Sequence, residues 1–303
     1  MSEASVGVIR NPESGRGRGA KAWPPIESRL RACLGSRLVR IEQTIEPGSG
    51  RRQAERMAGE GIEIVVAAGG DGTVSDVCQG LLGTGSALGI IPLGTGNDFA
   101  RTIGVGPHPN QAIEALSVSR NQRVDVGRWR QGDREGFFLN IAGCGFDAAV
   151  AHRINHAYRR VRGTLAYVLA VIETLRSYRA TDLTLDLDGE PLNERAMLCA
   201  MANATYYGGG MKVAPTAQIS DGRLNLVLVR DMPRLRFLLS FPRVFKGTHL
   251  SHPKVMHRTF KRVSLTSTPE VPFLVDGEVL PAQATTVEVV PLALDVVVGS
   301  PYP

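Results

Sequence analysis

The sequence predicts an N-terminal α/β domain followed by a C-terminal antiparallel β-sandwich domain, and two patterns lead to this prediction. Residues 1 to about 120 alternate strand-like apolar runs with helical spacing, and the residues beyond Gln122 form short strands separated by turn signals. The first pattern is typical of a parallel sheet covered on both faces, and the second is typical of a sandwich. We therefore divide the chain into residues 1–125, which residues 291–303 could complete, and residues 126–290.

The individual elements follow from these patterns. In the first domain the predicted strands are 5–10, 38–44, 62–68 and 88–92, and the predicted helices are 19–34, 51–60 and 73–82. In the second domain the predicted strands are 124–130, 136–142, 181–187, 196–203, 224–229, 262–266, 273–275 and 286–290. Two helical stretches, about 149–178 and 235–245, interrupt these strands.

The composition favours a folded protein that is made and kept in the cytoplasm. Of 303 residues, 43% are hydrophobic and 21% are charged, which supplies enough apolar surface for two cores. The first 19 residues lack the apolar core of a secretory signal. The longest apolar run near the middle, 165–172, is far shorter than the ~20 residues that span a bilayer. Four widely spaced cysteines indicate neither a zinc ribbon nor a disulfide framework.

The net charge of +6 is concentrated in two basic segments. Residues 152–180 hold six Lys or Arg against one acid, and residues 230–262 hold nine against one. Such segments indicate either contact with an anionic surface, nucleic acid or phospholipid, or solvated faces of ordinary helices. Apolar side chains within 235–245 favour peripheral contact with an anionic membrane at its inner face, whereas no aromatic interleaving supports nucleic-acid binding.

The clearest chemical signal is a glycine loop between an apolar strand and a helix. Residues 65–74 read Val-Val-Ala-Ala-Gly-Gly-Asp-Gly-Thr-Val. A strand, a glycine loop and a helix N-terminus together present backbone N–H groups to a phosphate, and glycine permits close approach. Asp71 would repel a phosphate in this loop unless a cation lay between them, so it predicts Mg²⁺ bound with a nucleotide.

Two further loops repeat this arrangement. A second apolar strand ends in Gly94-Thr-Gly96, and Asn97 and Asp98 follow where a helix would begin, so either of them could be only an N-cap. A third loop, Asn-Pro-Glu-Ser-Gly-Arg at 11–16, also leaves a strand. Ligands of open α/β sheets bind at the carboxyl edge of the strands, so three such loops predict one nucleotide site.

These segments resemble the catalytic domain of the diacylglycerol kinase and sphingosine kinase superfamily: GGDGT at 69–73, PLGTGNDFAR at 92–101 and NPESG at 11–15. The downstream half resembles the soluble bacterial branch through segments 140–147, 208–210, 252–255 and 275–278. The resemblance implies a nucleotide-binding α/β domain joined to a lipid-substrate β-sandwich, with ATP and lipid meeting in the cleft between them. It also implies a lipid kinase that uses ATP and Mg²⁺, with a membrane lipid, diacylglycerol first among the candidates, as substrate.

The resemblance further implies roles for individual residues. The residues expected to contact ATP are Asn11, Ser14, Gly15, Arg16, Thr44, Gly69, Gly70, Asp71, Gly72, Thr73, Val74, Ser75, Gly94, Thr95 and Asn97. The residues expected to hold metal are Asp71 and Asp98 for the catalytic Mg²⁺, and Gln218, Asp221 and Arg223 for a structural Mg²⁺. Asp276 is expected to be the general base, with Glu278 assisting it or sharing that role.

The acidic turns also have purely structural interpretations. Asp276-Gly277 is a hairpin signal, and Ser220-Asp-Gly222 is a turn signal. The chain carries Ser75-Asp76 where the family commonly has Asn-Glu, so the contacts of that pair stay open. The alternatives for function are an NAD kinase, whose family shares the GGDGT loop, and a non-catalytic nucleotide-binding regulator.

Overall fold

The computed structural model describes residues 4–157 and 173–299 and divides into two compact units. The first unit contains the described parts of Met1–Val126, Tyr206–Gly210 and Pro291–Pro303. The second unit contains Gly127–Thr205, apart from the undescribed residues, and Met211–Val290. None of the helices within the two described stretches is both long enough and apolar enough to cross a membrane.

The first unit contains a parallel sheet in the order β2-β1-β3-β4. Its strands are β1 Val6–Arg10, β2 Leu38–Gln43, β3 Ile64–Gly69 and β4 Ala87–Pro92. Its helices are α1 Ser14–Leu34, α2 Ser49–Gly59, α3 Asp71–Leu81, α4 Asp98–Thr102 and α5 Pro109–Val118. Val296, in the last strand of the chain, pairs in parallel with Leu88 and extends this sheet beyond β4.

The centre of this sheet explains the unbroken apolar runs in the sequence. All six residues of β3 and all six of β4 are buried, because helices cover a central parallel strand on both faces. Trp23 of α1 also belongs to the core and is only 4% exposed. The expectation of an N-terminal α/β domain is confirmed.

The remaining strands form the second, antiparallel unit, except that residues 121–126, 206–207 and 291–297 group with the first unit. They are β5 Asn121–Gln131, β6 Arg134–Phe138, β7 Ile141–Gly145, β8 Thr181–Leu187, β9 Glu190–Ala202, β10 Tyr206–Tyr207, β11 Met211–Lys212, β12 Leu224–Arg230, β13 Val255–Phe260, β14 Arg262–Thr268, β15 Phe273–Val275, β16 Glu278–Leu280 and β17 Thr285–Val297. Antiparallel pairs join them in the order β16-β15-β7-β9-β8-β14-β17, and β12 joins β9 to β13. The predicted antiparallel fold of the C-terminal domain is confirmed.

The second unit has its own core and few helices. Phe138, Phe260 and Phe273 are each at most 1% exposed and pack with apolar side chains from the surrounding strands, and Trp129 of β5, 8% exposed, belongs to the same cluster. Among the residues that the structure describes, the α-helical stretches of this unit are α6 Phe146–Ala157, residues 173–177 and the two short helices Arg234–Ser240 and Pro242–Lys246.

The structure differs from the sequence predictions in several elements. The helix predicted at about 149–178 begins at Phe146, and its middle, 158–172, lies outside the described residues. The helix predicted at 235–245 is broken before Pro242, since proline has no N–H to donate within a helix. Tyr206–Gly210 groups with the first unit, where β10 contacts α4, although the sequence prediction placed it in the second domain.

Gly80 provides a test of how closely α2 and α3 pack. A Cβ at Gly80 would lie 2.3 Å from the carbonyl oxygen of Arg51 and 2.9 Å from Cβ of Ala54. Replacing Gly80 with Ala must push the two helices apart, so we expect the free energy of unfolding to fall by about 1–3 kcal/mol. In the matched control Gly59→Ala, the new Cβ meets no atom within 4 Å, so stability should stay equal or rise by up to about 1 kcal/mol. Urea unfolding measures both, and equal stability of the two variants would contradict the packing.

Candidate functional site

The predicted nucleotide residues lie at the carboxyl edge of the parallel sheet. In the strand register Arg10 pairs with Ala68 and with Gln43, and Gly69 pairs with Pro92. Since all four strands run in the same direction, the loops that follow them leave the sheet at one edge. These loops contain the residues expected to contact ATP.

The loops after β3 and β4 touch through two glycines. A Cβ at Gly94 would lie 2.5 Å from Cα of Gly70, and a Cβ at Gly70 would lie 3.2 Å from Cα of Gly94. The Gly70 backbone leaves no room for a side chain at position 94, and a side chain at position 70 would be tightly packed against Gly94. Gly69 is similarly restricted, because its Cβ would lie 2.4 Å from Oγ1 of Thr73, whereas a Cβ at Gly72 would meet nothing within 4 Å.

The loop after β1, residues 11–16, joins the same cluster. Nδ2 of Asn11 donates to Oγ1 of Thr73 at 3.0 Å, and a Cβ at Gly15 would lie 2.7 Å from the carbonyl oxygen of Leu93. Gly15, Arg16 and Gly17 all have positive φ, so the chain makes a left-handed turn here before α1 becomes regular. Ser14 is buried, and its Oγ has no hydrogen-bond partner among the residues that the structure describes. Three loops that are far apart in sequence are therefore in contact.

Asp71 links the loop after β3 to the loop after β4. Its Oδ2 accepts the backbone N–H of Asn97 at 2.8 Å, and its Oδ1 accepts the backbone N–H of Asp98 at 2.8 Å. Asn97 closes its own loop, because its Oδ1 accepts the N–H of Gly94 at 2.9 Å. The carboxylate of Asp71 thus has partners inside the protein, and balancing its charge does not by itself require a cation.

Asp98 is only 5% exposed and binds a segment far along the chain. Its carboxylate accepts the N–H of Gly209 at 2.9 Å and the N–H of Gly210 at 2.7 Å. Burial raises the pKa of Asp98 above its usual value; the Gly209 amide opposes this effect and the Asp71 carboxylate adds to it. Sequence reasoning missed these partners, and the only signal for them was the run of three glycines at 208–210.

The two carboxylates flank one glycine. A Cβ at Gly96 would lie 2.8 Å from Oδ2 of Asp71 and 3.1 Å from Oδ2 of Asp98. Two neighbouring carboxylates repel each other, and their hard oxygen atoms are the donors that Mg²⁺ prefers. Within residues 4–157 and 173–299, no cluster of three or more His, Cys, Asp or Glu side chains could hold a metal.

The other expected ATP residues lie on the same edge of the first unit. Thr44 follows β2, and its N–H donates to the carbonyl oxygen of Arg10 at 2.9 Å. Val74 is buried in α3, whereas Thr95 lies exposed in the β4 loop and Ser75 is partly exposed on α3. The neighbouring Asp76 accepts the N–H of Gly48 at 3.2 Å, so it attaches the start of α2 to α3.

The second unit contains the acidic turn between β15 and β16. Asp276 and Gly277 both have positive φ, as a type I′ hairpin requires. Oδ2 of Asp276 accepts the N–H of Leu139 at 2.8 Å, and Oδ1 accepts the amides of Asn140 and Ile141 at 3.0 and 2.9 Å. The side chain therefore fixes the chain segment before β7, a role that the sequence did not indicate.

Glu278 differs from Asp276 although only one residue separates them. Its side chain is exposed, and it forms no hydrogen bond or ion pair with any residue that the structure describes. Of the two acids in the turn, Glu278 has the carboxylate that is open to an incoming group.

The predicted structural metal site appears as a plain turn. Oδ1 of Asp221 accepts the N–H of Arg223 at 3.0 Å, which is an Asx turn, and Gln218 is exposed nearby in the chain. Metal binding by Gln218, Asp221 and Arg223 stays a prediction.

The fold and these loops define a class: a kinase with an α/β catalytic domain joined to a β-sandwich. The family model described as the diacylglycerol kinase catalytic domain matches residues 5–129. The model described as the YegS C-terminal NAD kinase beta sandwich-like domain matches residues 140–298. The chain belongs to the diacylglycerol kinase family.

Individual relatives agree with this assignment. A diacylglycerol kinase of Mycobacterium tuberculosis is 32% identical over 296 residues, covering 96% of this chain and 94% of the relative. A diacylglycerol kinase of Staphylococcus aureus is 28% identical and covers 89% of this chain and 85% of its own. A crystal structure of a diacylglycerol kinase from Bacillus anthracis str. Sterne has a TM-score of 0.75 at 20% identity over 100% of both chains, which supports the fold.

The hydrogen bonds of Asp276 predict that its amide variant is less stable. In Asp276→Asn, one side-chain oxygen becomes an NH₂ group that faces a backbone N–H donor, so the free energy of unfolding should fall by roughly 1–3 kcal/mol. Glu278→Gln is the matched control, and it should be neutral because Glu278 is exposed and without a partner among the described residues. Chemical denaturation of both variants measures the difference. Equal stability would show that the three amides do not depend on the Asp276 carboxylate.

Proposed function

We propose that this chain is an ATP- and Mg²⁺-dependent lipid kinase that transfers the γ-phosphate of ATP to the hydroxyl of diacylglycerol, giving phosphatidic acid. The observation that carries the proposal is the contact among three glycine-containing loops at the carboxyl edge of one parallel sheet. The names of the curated relatives support diacylglycerol as the acceptor.

Nucleotide binding is supported by what the loops leave free. Side chains are absent at Gly70 and Gly94, where the two backbones touch, and Gly72 is open on its Cβ side. A triphosphate can approach such a backbone closely and accept hydrogen bonds from its amides. Arg16 is exposed in the first loop and can add a positive charge beside the phosphates.

Asp71 and Asp98 are the residues that would hold Mg²⁺. Both are oxygen donors beside Gly96, and each keeps lone pairs beyond those that accept backbone amides. Bound Mg²⁺ would supply positive charge to the phosphate oxygens. Magnesium sites of this kind usually keep waters and substrate phosphates as further ligands, so two protein carboxylates are sufficient.

The proton of the lipid hydroxyl needs an acceptor, and the acidic turn of the second unit offers one. Asp276 uses both carboxylate oxygens to bind backbone amides, whereas Glu278 is exposed. We assign proton acceptance to Glu278 and assign to Asp276 the positioning of the turn and of the segment before β7. This differs from the expectation from the sequence, which gave Asp276 the leading role.

The same reaction requires access to a substrate in the bilayer. The helix Arg234–Ser240 exposes Leu235 by 68% and Leu239 by 70%, and the following helix exposes Phe245 by 50%. Arginine and lysine side chains alternate with these apolar residues. Apolar side chains with basic neighbours bind anionic membrane surfaces, so we place the protein peripherally at the inner face of the membrane.

A panel of acceptors tests the proposal. The purified protein is incubated with labelled ATP, with or without Mg²⁺, and with diacylglycerol, monoacylglycerol, ceramide, a sphingoid base, phosphatidylglycerol or NAD. We expect Mg²⁺-dependent labelling of diacylglycerol above all others. Preferential labelling of NAD or of another lipid would reject the acceptor, and no Mg²⁺-dependent affinity for ATP would reject the kinase mechanism.

Glu278→Gln tests the proton acceptor. The substitution removes the basic carboxylate but keeps the size of the side chain, so kcat should fall by about 10²–10⁴-fold with ATP affinity unchanged. Turnover assays and calorimetric titration with Mg²⁺-ATP measure the two effects. A kcat near that of the unchanged protein would remove Glu278 from this role.

A further inference from the structure

The second unit contains a cavity that the proposed reaction does not use. Its volume is about 440 Å³, within the range of small-ligand sites, and it lies between the segment 178–180, β9 and the start of the helix Arg234–Ser240. Three arginines, Arg179, Arg195 and Arg234, line it together with one acid, Asp231. Counting these four side chains gives a net charge of +2, from three positive charges and one negative.

Apolar residues form the other part of the lining. Ala180, Met197 and Met232 are 7%, 1% and 6% exposed and belong to a cluster with Phe146 and Phe237. An apolar wall strengthens the attraction between the arginines and an anion, because it lowers the local dielectric constant.

The three arginines have different partners. Arg234 donates to the carbonyl oxygens of Tyr178 at 2.9 Å and Arg176 at 2.7 Å, and so holds the start of its helix. Arg195 forms exposed ion pairs with Asp182 and Asp231, each at 3.4 Å or less. Arg179 is exposed and makes no hydrogen bond or ion pair with the described residues.

The cavity adjoins the surface that we assign to the membrane. Arg234 belongs both to its lining and to the first turn of the helix that exposes Leu235 and Leu239, which are four residues apart and therefore on one face. On the same helix Phe237 turns inward to the apolar cluster. A helix that lays its leucines into the acyl boundary keeps its arginines at the level of the headgroups.

We propose that this cavity binds the phosphate group of an anionic phospholipid while the neighbouring helix rests on the bilayer. Arginine is suited to a phosphate oxygen pair. Arg179 has no partner among the described residues and supplies charge directly, and Arg195 supplies a second guanidinium, which would exchange its exposed ion pairs with Asp182 and Asp231 for the phosphate. Diacylglycerol has no phosphate, so the bound lipid is not the acceptor substrate. The inference rests on the proposed function in one respect: a kinase with a lipid acceptor must meet a membrane.

The test compares two double variants that remove the same charge. Arg179→Gln with Arg195→Gln removes two positive charges from the cavity. Lys261→Gln with Arg262→Gln removes two positive charges far from the cavity. These residues lie beside the C-terminal end of β8, where the N–H of Asp188 donates to the carbonyl oxygen of Arg262. That end of the strand is about 20 Å from Thr181, which follows the cavity segment 178–180. Arg234 is left unchanged because it holds its helix.

Binding is measured by sedimentation with vesicles of phosphatidylcholine alone and with vesicles of equal parts phosphatidylcholine and phosphatidylglycerol, without ATP. We expect the cavity variant to lose about tenfold or more in affinity for the anionic vesicles relative to the control variant. Thermal unfolding checks that both variants fold, and the single variant Arg179→Gln replaces the cavity pair if it does not.

Three results would overturn the inference. They are equal losses in the two double variants, equal binding of the unchanged protein to both vesicle types, and full displacement from anionic vesicles by millimolar glycerol phosphate, which would indicate a soluble phosphate ligand. Phosphorylation of a short-chain diacylglycerol in neutral detergent should be the same in all proteins. Vesicle binding is measured without ATP and does not depend on catalysis. If the unchanged protein did not phosphorylate diacylglycerol, the proposed function would be rejected, but the binding of anionic vesicles by the cavity would still be tested.

Discussion

The candidate nucleotide site depends on the direct contact between the backbones of Gly70 and Gly94. A side chain at Gly94 would push the loops after β3 and β4 apart, and one at Gly70 would press on the Gly94 backbone. Asp71 bridges the same two loops through the amides of residues 97 and 98, and the loop after β1 joins them through Asn11. The three loops are therefore in mutual contact, and glycine at positions 70 and 94 permits the close approach of two of them.

The second common feature is the use of acids to bind distant backbone amides. Asp71 binds amides 26 and 27 residues away, Asp98 binds amides 111 and 112 residues away, and Asp276 binds amides 135 to 137 residues away. Charge-assisted hydrogen bonds of this kind are among the stronger ones in proteins. An acid in or beside a glycine-containing turn can thus hold distant parts of the backbone together through its carboxylate.

The sequence predicted the fold class, the central strands and the loops of the first unit because these depend on local patterns. β3 and β4 are apolar throughout, and glycine follows each strand closely. The partners of the acids could not be predicted, since Gly209 and Leu139 are brought to them only by the tertiary fold. β13 was missed because most of its side chains are partly or fully exposed, which leaves no alternating pattern, and β16 is only three residues long. The predicted metal and ATP contacts remain predictions.

The two tryptophans give each unit its own optical reporter. The sequence has only two, and Trp23 is buried in the first unit while Trp129 is buried in the second. Replacing either one with phenylalanine leaves a chain whose tryptophan fluorescence, excited selectively over that of tyrosine, comes from a single unit. The thermal unfolding of the first unit and of the second unit can therefore be followed separately in the full-length chain, without dyes or truncation.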